Sequence, residues 1–176
     1  VELDRVPMEL HDVVASAMEI ASPLLEERRH HVVVDVAPRG LRVEADRTRL
    51  AQVITNLLTN AAKYTPTGGH IEVLASQDGT DVVLRVRDNG VGISAALLPS
   101  VFDLFVQERQ TLERSRGGLG LGLAIVRNLV AMHDGTVGVT SAGVNRGSEF
   151  TIRLPAAAEG DEFGAEASDF ADFRVV

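Results

Sequence analysis

Apolar residues recur at Leu10, Val13, Val14, Ala17, Met18, Ala21, Leu24 and Leu25, a three-and-four spacing that predicts an amphipathic helix from Leu10 to Arg29. Pro23 falls inside it and is expected to kink the helix or to begin a new turn behind Ser22. Val32–Val36 reads as a strand, Pro38-Arg39-Gly40 as a turn, and Leu41–Glu44 as a short partner strand. Asp46 is placed to cap a second helix that runs to Tyr64, where Thr65-Pro66-Thr67-Gly68-Gly69 stops it. Two alternating runs, His70–Ser76 and Val82–Arg87, are joined by a hairpin turn at Asp78-Gly79. A loop over 88–92 leads to a short helix over Ala95–Phe105. The polar, aperiodic segment Gln107–Gly118 reads as a mobile loop. A third helix over Leu121–His133 turns Leu123, Val126 and Val130 inward and Arg127 and Asn128 outward, and Gly135 ends it. Strands near Thr136–Thr140 and Ser148–Leu154 complete the body. This order predicts an α/β fold: a two-layer sandwich whose mixed, mostly antiparallel sheet of about five strands carries helices on one face.

Beyond Pro155 the pattern changes. Residues 156–172 hold alanine, glycine and six carboxylates with little periodicity, which reads as a linker, and Phe173-Arg174-Val175-Val176 turns apolar again like the start of a strand. The expected division is therefore a folded domain over 1–155 and an acidic linker over 156–176. The 176 residues suffice for one domain with a proper core. No cysteine occurs, which excludes disulfides, thiolate metal sites and a cysteine nucleophile. No leader pattern and no apolar run of membrane-spanning length is visible, so no direct membrane contact is expected. The net charge of −8 would repel a phosphate backbone, so no nucleic-acid partner is expected.

The second helix carries the first chemistry. Asn56, Asn60, Lys63 and Tyr64 stand at i, i+4, i+7 and i+8 and share one face, while Val53, Ile54, Leu57, Leu58 and Ala61 supply the apolar one. Sixteen of the 17 basic residues are arginine, and the one lysine, Lys63, lies on this stripe. Either asparagine alone would pass for a solvated helix residue. Two carboxamides, an ammonium and an aromatic ring together suit a metal, phosphates and a nucleobase.

Glycines supply the second. Gly117, Gly118 and Gly120 precede the third helix, with Gly122 at its start, and a glycine loop at a helix N-terminus can hold phosphate on its backbone N–H groups. No Gly-Lys-Ser/Thr occurs, so this is not a Walker A loop. Gly90-Val91-Gly92-Ile93-Ser94-Ala95 matches a dinucleotide fingerprint, but the loop-like 107–118 segment leaves no crossover to a second parallel strand. Asp88, just ahead of it, fits an Asx turn as well as a ligand contact. His30, His31, His70 and His133 show no metal-ligand spacing and read as structural or exposed.

Taken together, these segments resemble the ATP-binding catalytic domain of sensor histidine kinases, within the ATPase family shared with DNA gyrase, mismatch-repair and heat-shock chaperone proteins. Asn56–Thr65 resembles the family's N box, Arg87–Ile93 its first glycine box, Val101–Phe105 its phenylalanine box and Gly117–Ile125 its second glycine box; Gly147-Ser148-Glu149-Phe150 is a weaker match to the last element. The resemblance covers roughly residues 1–155.

The resemblance implies ATP and Mg²⁺ as ligands. Asn60 would ligate the metal through its carbonyl oxygen, and Asn56 would reach the same cluster. Lys63 would neutralise phosphate charge, Tyr64 would pack on the nucleotide, and Asp88 would accept a hydrogen bond from the adenine amine. Gly90, Gly92, Ile93 and Phe105 would line the nucleotide site. Gly118, Leu119, Gly120, Leu121 and Gly122 would hold the phosphates beneath a lid formed by 107–117, with Arg114 or Arg116 directed at the γ-phosphate. The implied partners are a histidine-bearing dimerisation domain and a response regulator or receiver domain, in the cytoplasm, under a parent that can be membrane-anchored. His11 lacks the family's acceptor sequence, so no phosphoacceptor is expected here. Asn56 stands where hydrolysing relatives carry a glutamate base, which implies slow ATP hydrolysis. An ATP sensor without transfer, or a serine/threonine-directed kinase of the family, are the alternatives.

Overall fold

The computed structural model describes residues 2–103 and 121–158. Its elements are β1 (Val6–Glu9), α1 (Leu10–Glu27), β2 (His31–Asp35), β3 (Arg42–Ala45), α2 (Arg47–Tyr64), β4 (His70–Asp78), β5 (Asp81–Asp88), a 3₁₀ turn (Leu98–Ser100), α3 (Leu121–Met132), β6 (Thr136–Thr140) and β7 (Ser148–Pro155). Five strands form one sheet in the order β2-β4-β5-β7-β6. The β2–β4 pair is parallel and the other three pairs are antiparallel. The fold is the expected α/β sandwich.

Alternation along the strands sends one set of side chains to each face. Ile71, Val73, Val82, Leu84, Val86, Phe150, Ile152 and Leu154 enter the same buried cluster as Val13, Val14, Leu57, Leu58, Val126 and Val130 of the three helices. The other face carries Glu72, Arg85, Arg87 and Glu149, with Arg87 paired to Glu149 at 2.7 Å and to Glu72 at 3.3 Å. The core therefore lies between the sheet and a single helical layer. In that layer α2 is central, packed against α1 on one side and α3 on the other.

Two expectations are corrected. The partner of β3 is not β2 but β1, a strand the pattern did not reveal, and together they form a separate two-stranded sheet with Val6 opposite Ala45 and Glu9 opposite Arg42. Pro7 is tolerated there because this small sheet is all edge. On the other side of β3, Ala156 bridges to Val43, so the last described residues also lie against it. The short helix over Ala95–Phe105 is, as far as Asp103, a chain of turns around the 3₁₀ element, with Pro99 at its start and Ser94 O accepting from Leu97 N and Leu98 N. Residues 104 and 105 lie outside the described range. Of the two expectations for Pro23, no new helix starts behind Ser22, because α1 continues through the proline to Glu27.

Candidate nucleotide site

Asp46 Oδ1 accepts from Arg49 N at 3.1 Å and caps α2, while its Oδ2 accepts from Asp4 N at 3.1 Å. Those two backbone bonds hold the Asp46 carboxyl below its ordinary value of 3.8. With the helix start fixed, Val53, Ile54, Leu57, Leu58 and Ala61 face the core. Asn56, Asn60 and Tyr64 emerge half-buried along the adjoining stripe, with Lys63 exposed beside them. Burial pushes the Tyr64 phenol above its ordinary 10.0, so the ring is neutral near pH 7.

At one end of the stripe stands the start of α3. Asn56 Nδ2 donates to Gly122 O at 3.4 Å, and a Cβ on Gly122 would touch the Asn56 carboxamide at 3.9 Å. The first backbone N–H groups of α3 have no partner within the helix and carry partial positive charge. Asn60, one turn further along α2, has no hydrogen-bond partner among the described residues, which leaves its carbonyl oxygen free as a hard donor.

At the other end stands the turn that follows β5. Asp88 is 7 % exposed. Its Oδ1 accepts from Gly90 N at 2.8 Å, closing an Asx turn, and its Oδ2 accepts from Ser148 Oγ at 2.8 Å. A carboxylate offers about four lone-pair positions, so two spent internally leave capacity for a donor outside. Val91 N donates to Tyr64 O at 3.0 Å, stitching the turn to the end of α2. A Cβ on Gly90 would sit well under 3.0 Å from that same oxygen, and one on Gly92, whose φ is +68°, would collide with Gly143 O. The close approach these glycines serve is thus to neighbouring backbone, a role that the sequence pattern did not expose.

The face of α2 that carries Asn56, Asn60 and Tyr64 is therefore bounded by Gly122 of α3 at one end and by the Asp88–Gly90 turn at the other, and the space over that face is the candidate crevice. Ile93 is half-buried next to it, its N–H donating to Ser141 Oγ at 3.0 Å. Phe102 meets Phe150 edge-on at 5.9 Å in the core. Phe105, Gly118, Leu119, Gly120, Arg114, Arg116, the remaining lid residues and the Leu121 side chain lie outside the described range. Sequence reasoning left Ser148 at a weak motif match and missed Ser141; the signal for Ser148 was its place after Gly147, and nothing local marks Ser141. His133, read as structural or exposed, is the former: at 2 % exposure its Nδ1 donates to Leu129 O at 2.8 Å and its Nε2 accepts from Asp46 N at 3.1 Å. Those two bonds fix the tautomer and tie the end of α3 to the cap of α2.

The sequence model of the histidine kinase-, DNA gyrase B- and HSP90-like ATPases matches residues 45–158, a span that contains all of these groups. The chain belongs to that family. Among its relatives, the probable sensor histidine kinase TcrY of Mycobacterium tuberculosis is 38% identical over 156 residues, covering 87% of this chain and 31% of TcrY. The autoinducer 2 sensor kinase/phosphatase LuxQ of Vibrio parahaemolyticus is 35% identical over 159 residues, covering 87% of this chain and 18% of LuxQ. The chain thus spans less than a third of either protein. In three dimensions it resembles full-length ShkA in complex with AMPPNP, with a TM-score of 0.76 and 32% identity over 90% of this chain and 33% of ShkA. It also resembles the mycobacterial sensor histidine kinase MprB, with a TM-score of 0.70 and 30% identity over 86% of this chain and 97% of that one. Among the described residues, no helix is long and apolar enough to cross a membrane.

Proposed function

We propose that this chain is the ATP-binding catalytic domain of a two-component sensor histidine kinase, presenting Mg-ATP for γ-phosphoryl transfer to a histidine on a dimerisation domain outside the chain. The observation that carries this reading is one face of α2 that sets two carboxamides between the start of α3 at Gly122 and the turn of Asp88. Asp88 accepts the adenine amine, and its bonds to Gly90 N and Ser148 Oγ hold it in position for that contact. Guanine offers a carbonyl at that point and is rejected. Tyr64 packs against the nucleotide, Lys63 screens phosphate charge, and the first turn of α3 at Gly122 faces the phosphates.

The donor set fits magnesium. Asn60 offers an uncommitted amide oxygen, and a hard cation that keeps water and phosphate oxygens elsewhere needs little more from the protein. When bound, Mg²⁺ neutralises phosphate charge. What the chain contributes is placement and charge compensation. Asn56 cannot serve as a base for water, so the γ-phosphoryl group is kept for an external acceptor.

In this reading, residues 1–155 are the catalytic unit and 156–176 an acidic connection towards a receiver domain, which makes the parent a hybrid kinase. The phosphoryl group passes from histidine to that receiver or to a separate response regulator in the cytoplasm. The test is labelled ATP with this chain and the helical dimerisation domain of its parent. Acid-labile phosphate on the latter is expected. Acid-stable phosphate on serine or threonine, or tight ATP binding without any transfer, would overturn the assignment.

A further inference from the structure

The turn that carries Gly90 and Gly92 rests on the loop between β6 and β7, and one side chain organises that contact. Ser141 Oγ donates to Gly147 O at 2.6 Å. It accepts from Ile93 N at 3.0 Å and from Gly143 N at 3.3 Å. A single half-buried hydroxyl therefore satisfies both ends of its own loop and the first residue beyond the glycine turn. Around it, Asn145 N donates to Val91 O at 2.7 Å and Gly147 N to Gly90 O at 3.2 Å. The loop is shaped to allow this. Gly143, Asn145 and Gly147 have φ of +127°, +63° and +68°, left-handed values that turn their amides towards the partner turn.

The fit is close on both sides. A Cβ on Gly92 would strike Gly143 O, and one on Gly147 would strike Asp88 O. Neither strand end can shift without moving the other. Asp88, whose carboxylate is also held by Ser148, thus has its position set by the β6–β7 loop as well as by β5.

We infer that Ser141 is a positioning residue for adenine recognition: its hydroxyl locks the β6–β7 loop against the Gly90–Gly92 turn and so fixes where Asp88 stands. The inference rests on the crevice being an adenine nucleotide site. Removing the hydroxyl leaves the Ile93 N–H and the Gly147 carbonyl without that partner, so the two loops are held by the Asn145–Val91 and Gly147–Gly90 backbone bonds alone and the turn loosens. The loss falls on the adenine end of the crevice and spares the phosphate end at Asn56, Asn60 and Gly122.

The experiment compares wild type, Ser141→Ala and Ser141→Thr well below their melting temperatures, using calorimetric titration with ATP, ADP and Mg-tripolyphosphate. Ser141→Ala is expected to bind ATP and ADP about tenfold more weakly, as for the loss of one net hydrogen bond, with tripolyphosphate binding unchanged. In the transfer reaction its KM for ATP rises by the same factor while kcat holds. Ser141→Thr keeps a hydroxyl and restores both. A Ser141→Ala variant that melts earlier yet binds ATP like wild type would reduce the residue to a structural role and overturn the inference. Equal weakening towards tripolyphosphate would overturn it too. Wild type that binds no ATP would instead defeat the proposed function, a separate and distinguishable result.

Discussion

Gly90→Ala is the smallest change that tests how the nucleotide turn is built. The added methyl would sit well under 3.0 Å from Tyr64 O, 2.9 Å from Asp88 Oδ1 and 3.0 Å from Thr65 Oγ1. None of these can yield cheaply. Tyr64 O is backbone at the end of α2 and accepts from Val91 N at 3.0 Å, and Asp88 Oδ1 accepts from Gly90's own amide at 2.8 Å. Thr65 is fully buried. Relief requires the turn to lift off α2, breaking the Val91–Tyr64 bond and tilting Asp88. Overpacking of this kind costs about 1–3 kcal/mol. For a domain of this size that corresponds to a fall in melting temperature of about 2–12 °C. The matched control is Gly138→Ala on β6, where a Cβ meets nothing within 4 Å and φ is not left-handed. Calorimetric melting and ATP titration of both variants form the assay. Gly90→Ala should lose stability and at least about tenfold in ATP affinity, the latter because the Asp88 contact is a hydrogen bond to a charged group, worth about 1.5–3 kcal/mol. Gly138→Ala should match wild type in both. Identical behaviour of the two variants would refute the claim that the turn is wedged against the end of α2.

Other outcomes follow from the same geometry. Asp46 titrates below its ordinary value when folded, so the stability it confers is complete above pH 3.8 and fades as pH falls through the depressed folded value. Asp46→Asn should flatten that acid limb in melting curves taken from pH 2 to 6, and an unchanged limb would count against the cap. Leu57→Ala, at a position with no exposure under the nucleotide helix, should cost about 2–5 kcal/mol in urea unfolding, and a cost below that range would show that α2 is not central to the core. Asn60→Ala should abolish the magnesium dependence of ATP binding while leaving metal-free binding near wild type; equal losses in both would assign Asn60 a structural part. The isolated chain should hydrolyse ATP slowly, and rapid turnover would mean that a base elsewhere supplies what Asn56 cannot.

What the sequence made legible was local. The α2 stripe, its Asp46 cap and the β4–β5 hairpin each depend on neighbours within a few positions, so period and turn chemistry suffice. Pairings between distant segments were not. Nothing near Val32 announces a parallel partner at Ile71, and nothing near Arg42 announces Glu9. A turn between two strand-like runs suggested a hairpin, but Leu10 N donates to Leu41 O and Ala156 bridges to Val43, drawing β3 into another sheet. The same limit hid Ser141, whose contact with Ile93 joins positions 48 apart. Asp88 lay between these cases. Its residue type and place before Asn89-Gly90 were visible, while the bond from Ser148 that orients it crosses from β7 to β5.

The central claim is that Asp88 reads the adenine of a magnesium-bound nucleotide in this crevice, and titration of wild type and Asp88→Asn with Mg-ATP and Mg-GTP tests it most directly. The amide keeps the shape of the carboxylate but can present a donor where the adenine amine also donates. ATP affinity should fall by about 10–100-fold, the value of a charge-assisted hydrogen bond, while GTP binding, weak from the start, should not fall with it. Unchanged ATP affinity in Asp88→Asn, or a wild type that binds both nucleotides equally, would contradict the account.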